Sequence, residues 1–146
     1  MAVRPLSRRL GAAVLLAALV GALGACASLD PLQRKQSFEE SHKLFTQYMR
    51  WGKIAQASQY VEPELREEFL SLAPELTQMY FTDYEILSAD IDAAWESAVV
   101  DVRISGYRLS HPIERSHVLT EEWRREGLDW RVRLDLAALR DAIAPR

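Results

Sequence analysis

The chain reads as an α+β domain in which N-terminal helices pack on a curved four-stranded antiparallel sheet, closed by a short C-terminal helix. Two observations predict this. Between Gln33 and Leu72 the apolar residues recur at helical spacing, and from Tyr80 onward the period changes to two. A third supports it: Glu126-Gly127 sits between two tryptophan-bearing strands as a hairpin turn.

A different kind of segment precedes this domain. Met1 to Arg9 carries Arg4, Arg8 and Arg9 without an acid, and Leu10 to Leu23 is apolar or glycine throughout. That order of charge and apolar run is an export signal, and it is short for a spanning helix. It closes on Leu23-Gly24-Ala25-Cys26, which holds the single cysteine of the chain. The segment resembles a bacterial lipoprotein signal with its lipobox. The resemblance implies that the Cys26 sulfur takes a diacylglycerol, that the chain is cut before Cys26, and that the new amine is acylated. We therefore read 1–25 as signal peptide, 26–32 as lipidated cysteine and tether, and 33–146 as a single domain. Ser7-Arg8-Arg9-Leu10 leaves a twin-arginine route open beside the general one, although Leu10-Gly11 replaces the usual apolar pair. Residue 27 is Ala. By resemblance to enteric-type sorting, where Asp there retains a lipoprotein at the inner membrane, this points to the outer membrane.

The whole chain has 146 residues and a formal charge of −3. Removing 1–25 takes away three of its 18 basic residues and none of its 21 acids, so the remaining body carries −6. An acidic body argues against a nucleic-acid partner and against charge-driven adhesion to anionic lipid. Attachment must then come from acyl chains, several of which together hold far more firmly than one. With Cys26 lipidated, no thiol remains for a disulfide or a thiolate metal site, so the domain depends on its apolar core. A body of 121 residues suits one such core.

Ala27 to Leu32 reads as the tether. Gln33 to Trp51 is a helix whose stripe is Phe38, Ser41, His42, Phe45, Tyr48 and Met49, with Gly52 as its stop. Lys53 to Val61 is a second, shorter helix with Ile54, Ala55, Ala57, Ser58 and Val61 inward. Glu62-Pro63-Glu64 opens a third, with proline and acids suited to a helix start, and Pro74 ends or kinks it. Four strands follow, at about Phe81–Asp92, Ser97–Leu109, Ile113–Arg125 and Leu128–Leu134, then a helix from Asp135 to Ile143. With Glu126-Gly127 as the turn, Trp123 faces Trp130, Leu119 faces Leu134, Glu122 faces Arg131 and Arg124 faces Asp129. On the first strand Leu87, Ala89 and Ile91 share the inward face, and Trp95 lies in a loop from which it can fold back onto the sheet.

Helices followed by a long four-stranded sheet that ends in the Trp130-Arg131-Val132 strand resemble the NTF2-like, or cystatin-like, fold. The resemblance covers Gln33 to Ile143 and rests on element order. It implies a sheet wrapped around the first helix as a cone. One departure is that no short strand is legible between the second and third helices. The chain as a whole resembles small NTF2-like lipoproteins of Gram-negative bacteria. The scaffold carries enzymes, binding modules and assembly domains alike, so it implies no activity.

Glu121 falls on the face of Leu119, Trp123 and Trp130, where a carboxylate against an apolar wall can serve as an acid or base. His117 shares the face but stands about 13 Å away along the strand, too far for a direct bond. These two are the low-ranking catalytic candidates. The alternative for Glu121 is a structural pairing with an arginine or a helix end. Ketosteroid isomerase and scytalone dehydratase resemble the scaffold, yet their motifs do not map onto His117, Glu121 or Tyr107. His42 within the helical stripe reads as a packed histidine. His111, before Pro112, reads as loop. The three histidines lack metal-binding spacing, and nothing in the sequence calls for a cofactor. Phe45, Tyr48, Trp123 and Trp130 are the candidates for lining a small apolar pocket if the cone is hollow. The favoured reading is a non-enzymatic, lipid-anchored periplasmic domain that binds a partner protein or a small apolar ligand. The alternatives are an isomerase- or dehydratase-type enzyme using Glu121, and an accessory lipoprotein of an envelope assembly. A floor packed solid by Trp123, Trp130 and Phe45 would exclude the enzyme.

Overall fold

In the computed structural model, residues 31–144 are described. Cys26, the targeting segment and most of the tether lie outside them. The first helix, α1 (31–50), already includes Pro31 and Leu32, so helix replaces the last two residues expected as tether. Proline is well suited to a first turn, where its missing N–H costs nothing. The α1 stripe is as its spacing requires: Phe38, His42, Phe45 and Met49 are buried, and Ser41 and Tyr48 partly so. Gly52, at φ +65°, turns the chain out of the helix.

The second helix is shorter than expected. α2 covers only Ile54–Ala57, and Ala55 is exposed. The chain leaves it to lay Tyr60 to Glu62 along the last strand. Val132 N–H donates to the Tyr60 carbonyl at 2.7 Å, and Glu62 N–H donates to the Val132 carbonyl at 3.0 Å. This single parallel bridge, Val61 to Val132, stands where no strand was legible, and it covers one sheet edge. α3 (Pro63–Ser71) and α4 (Ala73–Leu76) follow, each opened by a proline, and bury Phe69, Leu72 and Leu76.

The sheet is β1 (Met79–Ile91), β2 (Ser97–Arg108), β3 (His111–Glu126) and β4 (Asp129–Leu134), antiparallel throughout in that spatial order. α5 (Leu136–Ile143) closes the fold, its first turn capped by the Asp135 carboxylate accepting from the Ala137 and Ala138 amides at 3.0 Å. The α+β architecture expected from the sequence is therefore the observed one. The inward face of β2 is Ala98, Val100, Val102 and Ile104, all buried. The outward face carries the exposed Val99 and a polar set, with Asp101 accepting from Ser88 and Thr120, and Arg103 paired with Glu85.

The register of the last hairpin differs from expectation. Glu126 pairs with Asp129, so the turn residues are Gly127 and Leu128. Gly127 takes the first central position with φ +65°, the place a type II′ turn reserves for glycine. Each partner moves by two residues: Trp123 faces Val132, Glu121 faces Leu134 and Arg125 faces Trp130. A shift of two keeps every side chain on its face, so Trp123 and Trp130 remain buried without being opposite. The expected charge pairs dissolve. Arg124 faces Arg131, whose guanidinium instead meets Asp129 at 3.1 Å beside the turn.

β1 also departs from plain alternation. Its pairing slips between Phe81 and Asp83 and between Ile86 and Ser88. Such bulges bend a strand and reset its faces. Ala89 and Ile91 oppose the inward Val100 and Ala98, but Ala89 is exposed and Ile91 only half-buried, and Leu87 falls in the second bulge and is exposed. Trp95, at φ +55°, folds toward α1, its ring 6.1 Å from Phe38. Gly106 lets β1 come close. A Cβ there would stand 2.7 Å from the Tyr80 carbonyl oxygen, which is backbone and cannot step aside cheaply. Gly106→Ala should thus destabilise the domain by about 1–3 kcal/mol, read as a lower urea midpoint at unchanged slope.

Candidate functional site

The inward face of the sheet is sealed at one end and hollow at the other. The sealed end forms around Trp123. Phe38 and Phe45 of α1 meet its indole edge-on, at 5.9 and 5.6 Å, and Phe38 lies 4.9 Å from the Trp130 ring. Phe45, Trp123 and Trp130 are each 1% exposed or less. They form core, and the small void of about 10 Å³ beside Phe45 is below ligand size. The Tyr48 ring lies tilted against Tyr60, 6.3 Å away, at the helix margin. The four residues expected to line a pocket therefore surround no ligand-sized space.

Glu121 lies in this packed end, 1% exposed. Its two oxygens are divided between partners. The Tyr84 hydroxyl donates to Oε1, and Trp123 Nε1–H donates to Oε2 at 2.9 Å. His42 Nε2 approaches Oε2 to 3.2 Å but is not aligned for a hydrogen bond. The carboxylate thus ties α1, β1 and β3 together from inside. The Tyr84 phenol is held well above the ordinary tyrosine value of 10.0, first by burial, then by the Glu121 charge and its hydrogen bond. The Thr46 hydroxyl beside it acts weakly in the other direction and is itself not well aligned. Neither an arginine nor a helix end takes up Glu121. Tyr84 and Trp123 do, with His42 beside them, and the meeting of Glu121 with Tyr84 and His42 was not legible from spacing.

The hollow end is a cavity of about 330 Å³ between the β2–β3 hairpin and the end of α5. That is the lower end of the range for small-molecule sites. Met79, Phe81, Ile104, Ile113 and Ile143 supply its apolar wall. Arg108, His111, Arg115 and His117 supply the polar part, and no acid lines it among the described residues. His117 opposes Ile104, while Glu121 opposes Val100, so the two candidate groups belong to different ends of the interior. His111 is not free loop: it opens β3, faces Arg108 and lines the cavity. The Tyr107 ring stacks on Tyr80 at 5.2 Å. Among the described residues no three His, Asp or Glu side chains gather as a metal site.

No protein-family model matches the chain, and no curated protein matches it. Solved structures do. A SEC-C motif containing protein from Rhodopseudomonas palustris is 15% identical with a TM-score of 0.50, over 60% of this chain and 67% of that one. A protein of unknown function with a cystatin-like fold from Nostoc punctiforme is 11% identical with a TM-score of 0.47, over 67% and 84%. A proposed polyketide cyclase from Xanthomonas campestris pv. campestris is 9% identical with a TM-score of 0.48, over 76% and 99%. At such identities a likeness extends to the fold and not to an activity.

The polar cluster has a direct readout. Glu121→Ala leaves the Tyr84 and Trp123 donors unpaired in the core and should cost about 3 kcal/mol or more. Tyr84→Phe removes one hydrogen bond and should cost only about 1 kcal/mol. Because the Tyr84 value is raised on folding, its contribution is complete below the unfolded value of 10.0 and is lost as pH climbs above it. Denaturation midpoints should fall above that pH in the wild type and fall less in Tyr84→Phe.

Proposed function

We propose that this chain is a lipid-anchored binding domain of the bacterial envelope, held by acylated Cys26 on the periplasmic side of the outer membrane, and that it binds a small apolar ligand. The observation that carries the ligand reading is the 330 Å³ cavity with its five large apolar side chains. The anchor reading rests on the charged, apolar and Leu-Gly-Ala-Cys order of residues 1–26. It accords with the described helices, none of which is long and apolar enough to cross a membrane.

A binding role is favoured over catalysis by the surroundings of Glu121. The space beside the carboxylate measures about 10 Å³, and its oxygens are already engaged by Tyr84 and Trp123. A general acid or base must come within hydrogen-bond reach of a substrate atom, and this one is walled off by Phe45 and Trp123.

Two measurements test the proposal. The wild-type chain expressed with its leader should fractionate with outer membranes, and Cys26→Ser should be released; equal release of both would refute the anchor. The neutral probe N-phenyl-1-naphthylamine should gain fluorescence on binding the wild type. Ala142→Trp, which places an indole in the cavity wall, should abolish that gain while circular dichroism stays unchanged.

A further inference from the structure

We infer that the cavity is built for an anionic amphiphile: a ligand with a short hydrocarbon body and a carboxylate-like head that docks on Arg108 and His117. This deepens the binding role proposed above and depends on it. The charge of the cavity lining does not match that of the chain. The chain is acidic overall, with 21 Asp and Glu against 18 Lys and Arg. Yet the cavity lining holds two arginines and two histidines and no acid among the described residues. An acidic surface gives no general reason for an anion to approach, so a cavity lined by the half-buried Arg108 and His117 and the exposed His111 and Arg115 is a local feature that favours negative charge there.

The second observation is unpaired donor capacity. Arg108 Nε–H donates to the Ile143 carbonyl at 2.9 Å, and Nη1–H donates to Gln78 Oε1 at 3.2 Å. These bonds fix the guanidinium between β2 and the last turn of α5. Its Nη2 is buried and has no hydrogen-bond partner among the described residues. His117 Nε2 is buried and unpartnered in the same way. A buried donor left empty costs about 1–3 kcal/mol, and such groups normally have an acceptor. Both belong to residues that line one cavity. A ligand carboxylate that reaches either group supplies the acceptor it lacks. A guanidinium already held in position suits a carboxylate, because little further ordering is needed when the bond forms.

The remaining wall defines the rest of the ligand. Met79, Phe81, Ile104 and Ile143 offer surface to hydrocarbon and little to a sugar or a nucleotide. The volume excludes a two-chain phospholipid and suits a single short chain, since drug-sized ligands already occupy ~300–1,000 Å³.

The test uses the full chain in nanodiscs, with empty nanodiscs as the reference, and titrates decanoate and decanol by calorimetry. Decanoate should bind at least tenfold more tightly than decanol. Arg108→Gln should erase that preference while decanol binding persists, and Arg108→Lys should restore part of it. Persistence of decanol binding shows that Arg108→Gln still folds, and His117→Gln provides an independent variant that should weaken decanoate alone. Equal binding of decanoate and decanol by the wild type would overturn the anionic head and leave the apolar site standing. Failure of both to bind would overturn the inference together with the ligand role.

Discussion

The packing of α1 against Trp123 is the constraint from which the rest of the interior follows. Phe38 and Phe45 arrive edge-on at that indole, and full burial of such side chains contributes about 1.5–3 kcal/mol each. Once the helix lies there, one half of the inner sheet face is filled. Glu121 is trapped in that half and must be satisfied from within. Tyr84 from β1 and Trp123 from its own strand do so. A buried carboxylate of this kind adds little net stability but fixes how the elements meet, because every partner lost is costly.

The same packing determines where space remains. α1 does not extend over the β2–β3 hairpin, and α5 covers that end with the small Ala142 and Ala144 and with Ile143. Gly106 adds no side chain at the cavity floor and lets Phe81 rest on the backbone. The result is a division of labour within one sheet: residues nearer Glu121 hold the fold, and residues nearer the hairpin are free to hold something else. His117 and Glu121, four residues apart on one strand, fall on opposite sides of that division.

Much of this was legible from the chain. The α1 stripe, the proline start of α3, the four antiparallel strands and the closing helix follow from spacing and local chemistry, whereas Pro74, read as ending or kinking the third helix, lies in the first turn of α4. The faces of β3 and β4 were legible even though their pairing was not, because a shift of two residues preserves a period of two. Gly127 at the second central position would ask Glu126 for a positive φ, so the turn that places Gly127 first is favoured, and it set the register. The bulges in β1 leave no mark on apolar spacing, so the place of Leu87 was hidden. Arg108 carried a signal that spacing alone could have given. It continues the even-numbered inward series of Val102, Ile104 and Gly106, yet a charged residue at a strand end is ordinarily read as solvent-facing. The link between His42, Tyr84 and Glu121 joins three distant segments and needed the fold.

Which end of the sheet's inward face is hollow decides where a ligand can sit. Xenon dissolved under pressure enters dry apolar cavities, and methyl NMR reports where it settles. It should shift the methyl signals of Ile104, Ile113 and Ile143 and leave those of Leu119, Leu134 and Leu139 unmoved. Shifts concentrated at Leu119 and Leu139, with Ile113 and Ile143 silent, would place the space beside Glu121 and contradict the division described above.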